Sequence, residues 1–199
     1  MRRLSGSCLL AVLLSLVVAE QLPAAEQYLG ACIECHGSDG MGKSDPAIPV
    51  IAGMPAAHIE EAIYAYVDGA RQCVNEPRMC ETVNTLSEAQ VMAVAEYFAG
   101  QVRVASQESF DASLAERGAI LHARHCGACH LKPDDEDVDL AIGIPLHGQR
   151  ADYIRFAIKA YFAGSREPLL EKMSHELEQL NADDVEALVN YYSSYRAAE

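Results

Sequence analysis

Two copies of Cys-x-x-Cys-His stand 94 residues apart, Cys32-Ile-Glu-Cys35-His36 and Cys126-Gly-Ala-Cys129-His130. Thiols at this spacing serve three chemistries. Two such pairs can make one four-cysteine zinc site, and each pair can cycle as a redox disulfide. With a histidine directly behind, each pair can also attach a c-type haem. There each thiol adds across one vinyl group, and the histidine stands under the iron as its proximal ligand. The motif is complete in both copies, in a chain whose first residues read as an export signal. That favours covalent haem at Cys32, Cys35, Cys126 and Cys129, with His36 and His130 on the two irons; zinc and disulfide chemistry remain the alternatives.

An electron-transfer haem takes a second protein ligand, and a methionine there raises its potential. The first half offers Met41, Met54, Met79 and Met92, whereas after His130 the second half offers Met173 alone. Met173 lies 43 residues beyond His130, and Met79 lies 43 beyond His36, so the shared interval selects this pair. Both are expected in an irregular stretch before a last helix. Met41 is too near His36 to reach the opposite face, Met54 starts a helix, and Met92 reads as core packing. His175 competes in the second half. His58, His122, His125 and His147 read as surface or packing residues, and the carbonyls of Pro49 and Pro145 are candidates to orient the proximal histidines.

The elements that must hold these residues also repeat. Ile59, Ala62, Ile63 and Tyr66 recur as Ile154, Ala157, Ile158 and Tyr161, offset by 95. Their spacing draws one apolar helical face, stopped at Gly69 and Gly164. Ser87-Glu-Ala-Gln90 is a capping box opening a helix through Val91, Val94, Tyr97 and Phe98, and Asn181 caps its counterpart through Val185, Leu188 and Tyr192. Helical runs at 26–31 and 115–124 precede the two motifs. No run of alternating strands appears, so the fold read here is all-α. The domains are 26–100 and 114–199, joined by a mostly polar linker at 101–113.

The formal net charge of −14 argues against nucleic-acid binding, which needs a basic footprint, and permits steering toward a basic partner. The run Asp134-Asp-Glu-Asp137 is a solvated loop or a docking patch. Arg2 and Arg3 followed by the apolar run Leu9 to Val18 read as a signal peptide over 1–25, cleaved after Ala19 or near Ala24–Ala25. The mature chain is then exported to the periplasm, without membrane insertion. Cys73 and Cys80 have no counterparts in the second half. An oxidising compartment favours a disulfide between them, with two free thiols as the alternative.

Two Cys-x-x-Cys-His domains of this size, each with a Pro-Gly loop and a late methionine, resemble tandem dihaem class I cytochromes c. Glu108-Ser-Phe-Asp-Ala-Ser-Leu-Ala115, Gly118-Ala-Ile-Leu-His122 and Ser165-Arg-Glu-Pro-Leu-Leu-Glu-Lys-Met-Ser174 resemble the cytochrome subunit of flavocytochrome c sulfide dehydrogenase in particular. The Cys73 and Cys80 pair departs from that pattern. The resemblance implies two covalent haems c here and FAD only on a partner flavoprotein that oxidises sulfide. This chain then receives the electrons, and a soluble cytochrome c carries them away; no catalytic site of its own is expected. The alternatives are a free-standing dihaem shuttle to an oxidase or other partner, an enzyme with one open haem, and a zinc-binding structural module.

Small domains hold little core of their own. Replacing both cysteines of either motif by alanine is expected to unfold that half, read as lost helical circular dichroism; an undiminished signal contradicts it. Met173→Ala is expected to leave the second haem attached while lowering its potential, so an unchanged redox titration rules out that ligation.

Overall fold

The computed structural model describes residues 22–74 and 77–196, with side chains from Tyr28 onward. The expected leader, with its apolar run and the cleavage point after Ala19, lies outside the described residues; the alternative cleavage point near Ala24–Ala25 falls in the backbone of the first helix. The described chain is all-α, in an order that repeats. A helix enters each Cys-x-x-Cys-His motif (α1, Leu22–His36; α5, Ala112–His125). An amphipathic helix follows (α2, Ala56–Val67; α6, Ala151–Phe162), then a short one (α3, Pro77–Val83; α7, Glu171–Glu178), then a closing helix (α4, Glu88–Ala99; α8, Ala182–Ser193).

α1 runs through its whole motif, whereas α5 stops one residue before Cys126. The difference lies between the cysteines: Ile33 and Glu34 sustain a helix, and Gly127 does not. The segments around Met79 and Met173 are not irregular, as expected from sequence, but helical. Pro77 is pre-set for the first position of α3, and Glu171 in the first turn of α7 complements that helix's dipole.

Gly69 and Gly164 stop α2 and α6 with φ of 80° and 71°, the left-handed region open to glycine. The two turns then meet. Arg71 and Arg166 form an antiparallel β-bridge, Gln72 N–H donates to Ser165 O at 2.8 Å, and Glu167 N–H donates to Ala70 O at 2.7 Å. Equivalent turns of the two halves are thus paired through their backbones.

The first core packs Ile59 and Ile63 of α2 against Val91, Val94 and Phe98 of α4. Helical periodicity turns Met92 outward, 51% exposed, instead of into the core. In the second half α5 crosses α8 so closely that a Cβ on Gly118 would run into the Ala187 carbonyl. Aromatic rings fill the adjoining space. His122 and His147 stand edge to face at 4.8 Å, and His122 Nδ1 pairs with the Tyr192 hydroxyl at 3.1 Å. Arg155 reaches Glu186 through two bonds of 2.8 Å and ties α6 to α8.

His147 is 1% exposed, and neither ring nitrogen has a hydrogen-bond partner. Burial pushes its pKa down to about 3, and that of His122 to about 4, from an ordinary 6.5. Both rings are therefore neutral in the folded chain, and the unfolded chain binds more protons. Their contribution is fully present above pH 6.5 and is lost as pH falls through 6.5 toward 4 and then 3. His147→Leu is expected to make the acid loss of stability in this window shallower, measured by chemical denaturation at stepped pH. A profile parallel to that of the native protein contradicts this account.

Candidate functional site

α1 brings Cys32, Cys35 and His36 to its C-terminal end, where α3, α4 and the 48–54 loop close around them. Their side chains line one crevice, open to solvent, which also holds Met54 and Met79. Met41 and Met92 do not line it. Met54 is 4% exposed and packed into the core, while Met79 lies partly buried against that core's edge. The structure thus gathers Cys32, Cys35, His36 and Met79 around a single apolar slot.

The histidine geometry is specific. His36 is buried, and its Nδ1–H donates to the Pro49 carbonyl at 3.3 Å. Burial lowers its pKa, while the carbonyl partly opposes the shift. The ring is therefore neutral, with its Nε2 lone pair left for a metal. His130 repeats the arrangement, donating from Nδ1 to Ile144 O at 2.8 Å. Burial lowers its pKa too, the carbonyl raises it, and nearby His58 of α2 adds to the lowering.

Pro145 was the expected partner of His130, but its carbonyl instead accepts a long bond of 3.5 Å from Arg103. Matching proline to proline misplaces the register by one residue. Counted from Gly53 and Gly148, offset by 95 like the helices that follow, Pro49 stands opposite Ile144. Gly143 lets this loop press on the ring, since a Cβ there would sit 2.6 Å from His130.

Around the second motif, Cys126 packs against the second core beside Leu146 and Ile158. Burial raises its thiol pKa, while a hydrogen bond with Tyr192 lowers it. Met173 is half-buried on α7, and His125 pairs with Glu176 at 2.8 Å to tie α7 to α5. His175, the competing ligand, is exposed and takes a hydrogen bond from Gln179.

Cys73 and Cys80 form a disulfide, Cα atoms 6.0 Å apart, that brackets the approach to Met79. Cys32, Cys35, Cys126 and Cys129 are free thiols. Among the described residues no three of His, Cys, Asp and Glu gather as a metal site, so the four-cysteine zinc alternative has no centre here. Nor is any helix among them long and apolar enough to cross a membrane.

The crevice has a cationic end. Arg166, 5% exposed, donates Nη2–H to the Tyr153 hydroxyl at 3.1 Å and lies 5.2 Å from the Tyr161 ring centre. Its buried Nε–H has no partner. Arg71 stands over Tyr66 at 5.6 Å on the same lining. Two thiols, a neutral imidazole and a thioether around an apolar slot, with an unpaired guanidinium N–H at its edge, fit a haem. They match its two vinyl groups, its iron, its apolar ring and its carboxylates.

Residues 19–98 match the family model of cytochrome c oxidase, cbb3-type, subunit III. The thiosulfate dehydrogenase electron acceptor of Thiomonas intermedia is 32% identical over 153 residues, 72% of this chain and 68% of that protein. Among solved structures, reduced cytochrome c4 from Pseudomonas stutzeri superposes with a TM-score of 0.69 at 24% identity, covering 86% of this chain and 96% of that one. The thiosulfate dehydrogenase of Marichromatium purpuratum gives 0.65 at 22% identity over 82% of this chain, which spans only 36% of that longer protein. At these identities the structural likenesses carry the fold.

Proposed function

With the premise that this chain belongs to the cytochrome c family and is a dihaem c-type electron-transfer protein, we propose that it accepts electrons from a dehydrogenase of reduced sulfur, thiosulfate first, and relays them to a further redox partner. The observation that carries this reading is the crevice holding Cys32, Cys35, His36 and Met79 together, with the His36 Nδ1–H committed to a backbone carbonyl. The thiosulfate assignment draws support from the acceptor of Thiomonas intermedia.

Cys32 and Cys35 hold one haem c, and Cys126 and Cys129 the other. His36 with Met79, and His130 with Met173, ligate the irons, within domains 26–100 and 114–199 joined by 101–113. Each bound haem supplies one-electron iron chemistry. The chain's own residues hold the proximal rings neutral, exclude water with Ile59, Val94 and Phe98, and set Arg166 to receive a carboxylate. The leader delivers the chain to the periplasm, where the Cys73–Cys80 disulfide persists. Its net charge of −14 favours a basic partner face.

Residues 108–122 and 165–174 favour a second reading, the cytochrome subunit beside an FAD-bearing sulfide dehydrogenase chain. The test is reduction of the purified dihaem protein, followed by its visible spectrum. Thiosulfate with a thiosulfate dehydrogenase is expected to reduce both haems. Reduction only by sulfide with a flavoprotein, in a stable one-to-one complex, overturns the thiosulfate reading for the second. Reduction by neither leaves an electron shuttle serving another donor and refutes both sulfur assignments.

A further inference from the structure

The loops that receive the two proximal histidines lean on each other. Gln149, 2% exposed, belongs to the second half but binds the first: its Nε2–H donates to Val50 O at 2.9 Å, and its Oε1 accepts from Val50 N–H at 2.8 Å. Val50 N–H and Pro49 C=O are the two ends of one peptide unit, which is planar and stiff. Fixing the N–H therefore fixes the direction of the carbonyl that receives the His36 Nδ1–H.

Arg103 holds the same loops in register. Its Nε–H donates to Ala52 O at 3.0 Å and its Nη1–H to His147 O at 2.9 Å. Burial pulls its pKa down to about 10, so the clamp is still charged at neutral pH. The arrangement is one-sided. In the register of Gly53 and Gly148, the position matching Gln149 is Met54, which has no side-chain amide to return the contact.

We propose that Gln149 is a positioning residue for the first haem: through the Pro49–Val50 peptide it sets the His36 Nδ1–H bond, so the second half of the chain tunes the iron of the first. This rests on the ligation reading above. A well-held proximal hydrogen bond raises the basicity of the ligand and favours ferric iron. Loosening it therefore raises the potential of that iron.

The test is Gln149→Met in the full dihaem protein, made alone and in the Met173→Ala background, where the second haem stays attached at a lowered potential and the first titrates apart from it. The reduced-to-oxidised ratio of the first haem at a fixed solution potential is expected to rise roughly threefold, with a smaller change at the second. If Gln149→Met fails to hold both haems, Gln149→Asn carries the same test. It keeps the amide one methylene short of Val50, and the same direction of change is expected. An unchanged first haem, or equal changes at both, overturns the positioning role when the His–Met spectrum is retained. A native protein whose ferric spectrum lacks His–Met ligation refutes the ligation reading itself, and this inference with it.

Discussion

A neutral imidazole has one N–H to give and one lone pair to use, and where the N–H goes decides what the lone pair can do. In both halves of this chain the N–H goes to a backbone carbonyl in the loop that follows the motif, Pro49 in one and Ile144 in the other. Much of the fold is arranged around that single bond. The entry helices place His36 and His130, burial keeps them neutral, and Gln149 and Arg103 tie the 48–54 and 144–149 loops to each other. A loop free to move would deliver a carbonyl of varying direction, and ligand strength would vary with it.

The halves are joined through polar groups that neither satisfies alone. Backbone bonds between the turns at Gly69 and Gly164 carry Arg71 and Arg166 to the edge of the first crevice, where tyrosine rings surround them. Tyr153 sits among them. Burial raises its hydroxyl pKa, but Arg166 and Arg71 more than reverse that and leave it below the ordinary value. Since Ile144, Gln149, Tyr153 and Arg166 of the second half also line the first crevice, that crevice belongs to both halves.

The features legible in the sequence are those written locally. The paired motifs, the repeated face of α2 and α6, the glycine stops and the caps of α4 and α8 need only spacing and residue type, and each stands where those signals put it. Met92 differs from its reading as core because residue type was weighed over position: the apolar face drawn by Val91, Val94 and Phe98 leaves position 92 on the outer side. Pro145 was misread because proline is conspicuous, while the glycine register that identifies Ile144 is quiet. Gln149 and Arg103 carried no local signal at all. Gln149 meets a residue 99 positions away, and Arg103 lies in a stretch whose polarity reads as a solvated linker. Their roles exist only once the halves are packed, which composition and periodicity do not encode.

The single disulfide bears on how the chain is made as much as on how it holds together. Six cysteines lie beyond the apolar run Leu9 to Val18. Two of them, Cys73 and Cys80, end as a disulfide, while the other four, under the haem attachment proposed above, must stay reduced until each meets a vinyl group. Oxidation and attachment thus make opposite demands on one nascent chain. A separation of seven residues makes Cys73 and Cys80 close neighbours even when unfolded, and short loops close at little entropic cost. Early closure removes the two surplus thiols from competition. The remaining pairs are then sorted by their own spacing, and the order of assembly is carried by distance along the chain.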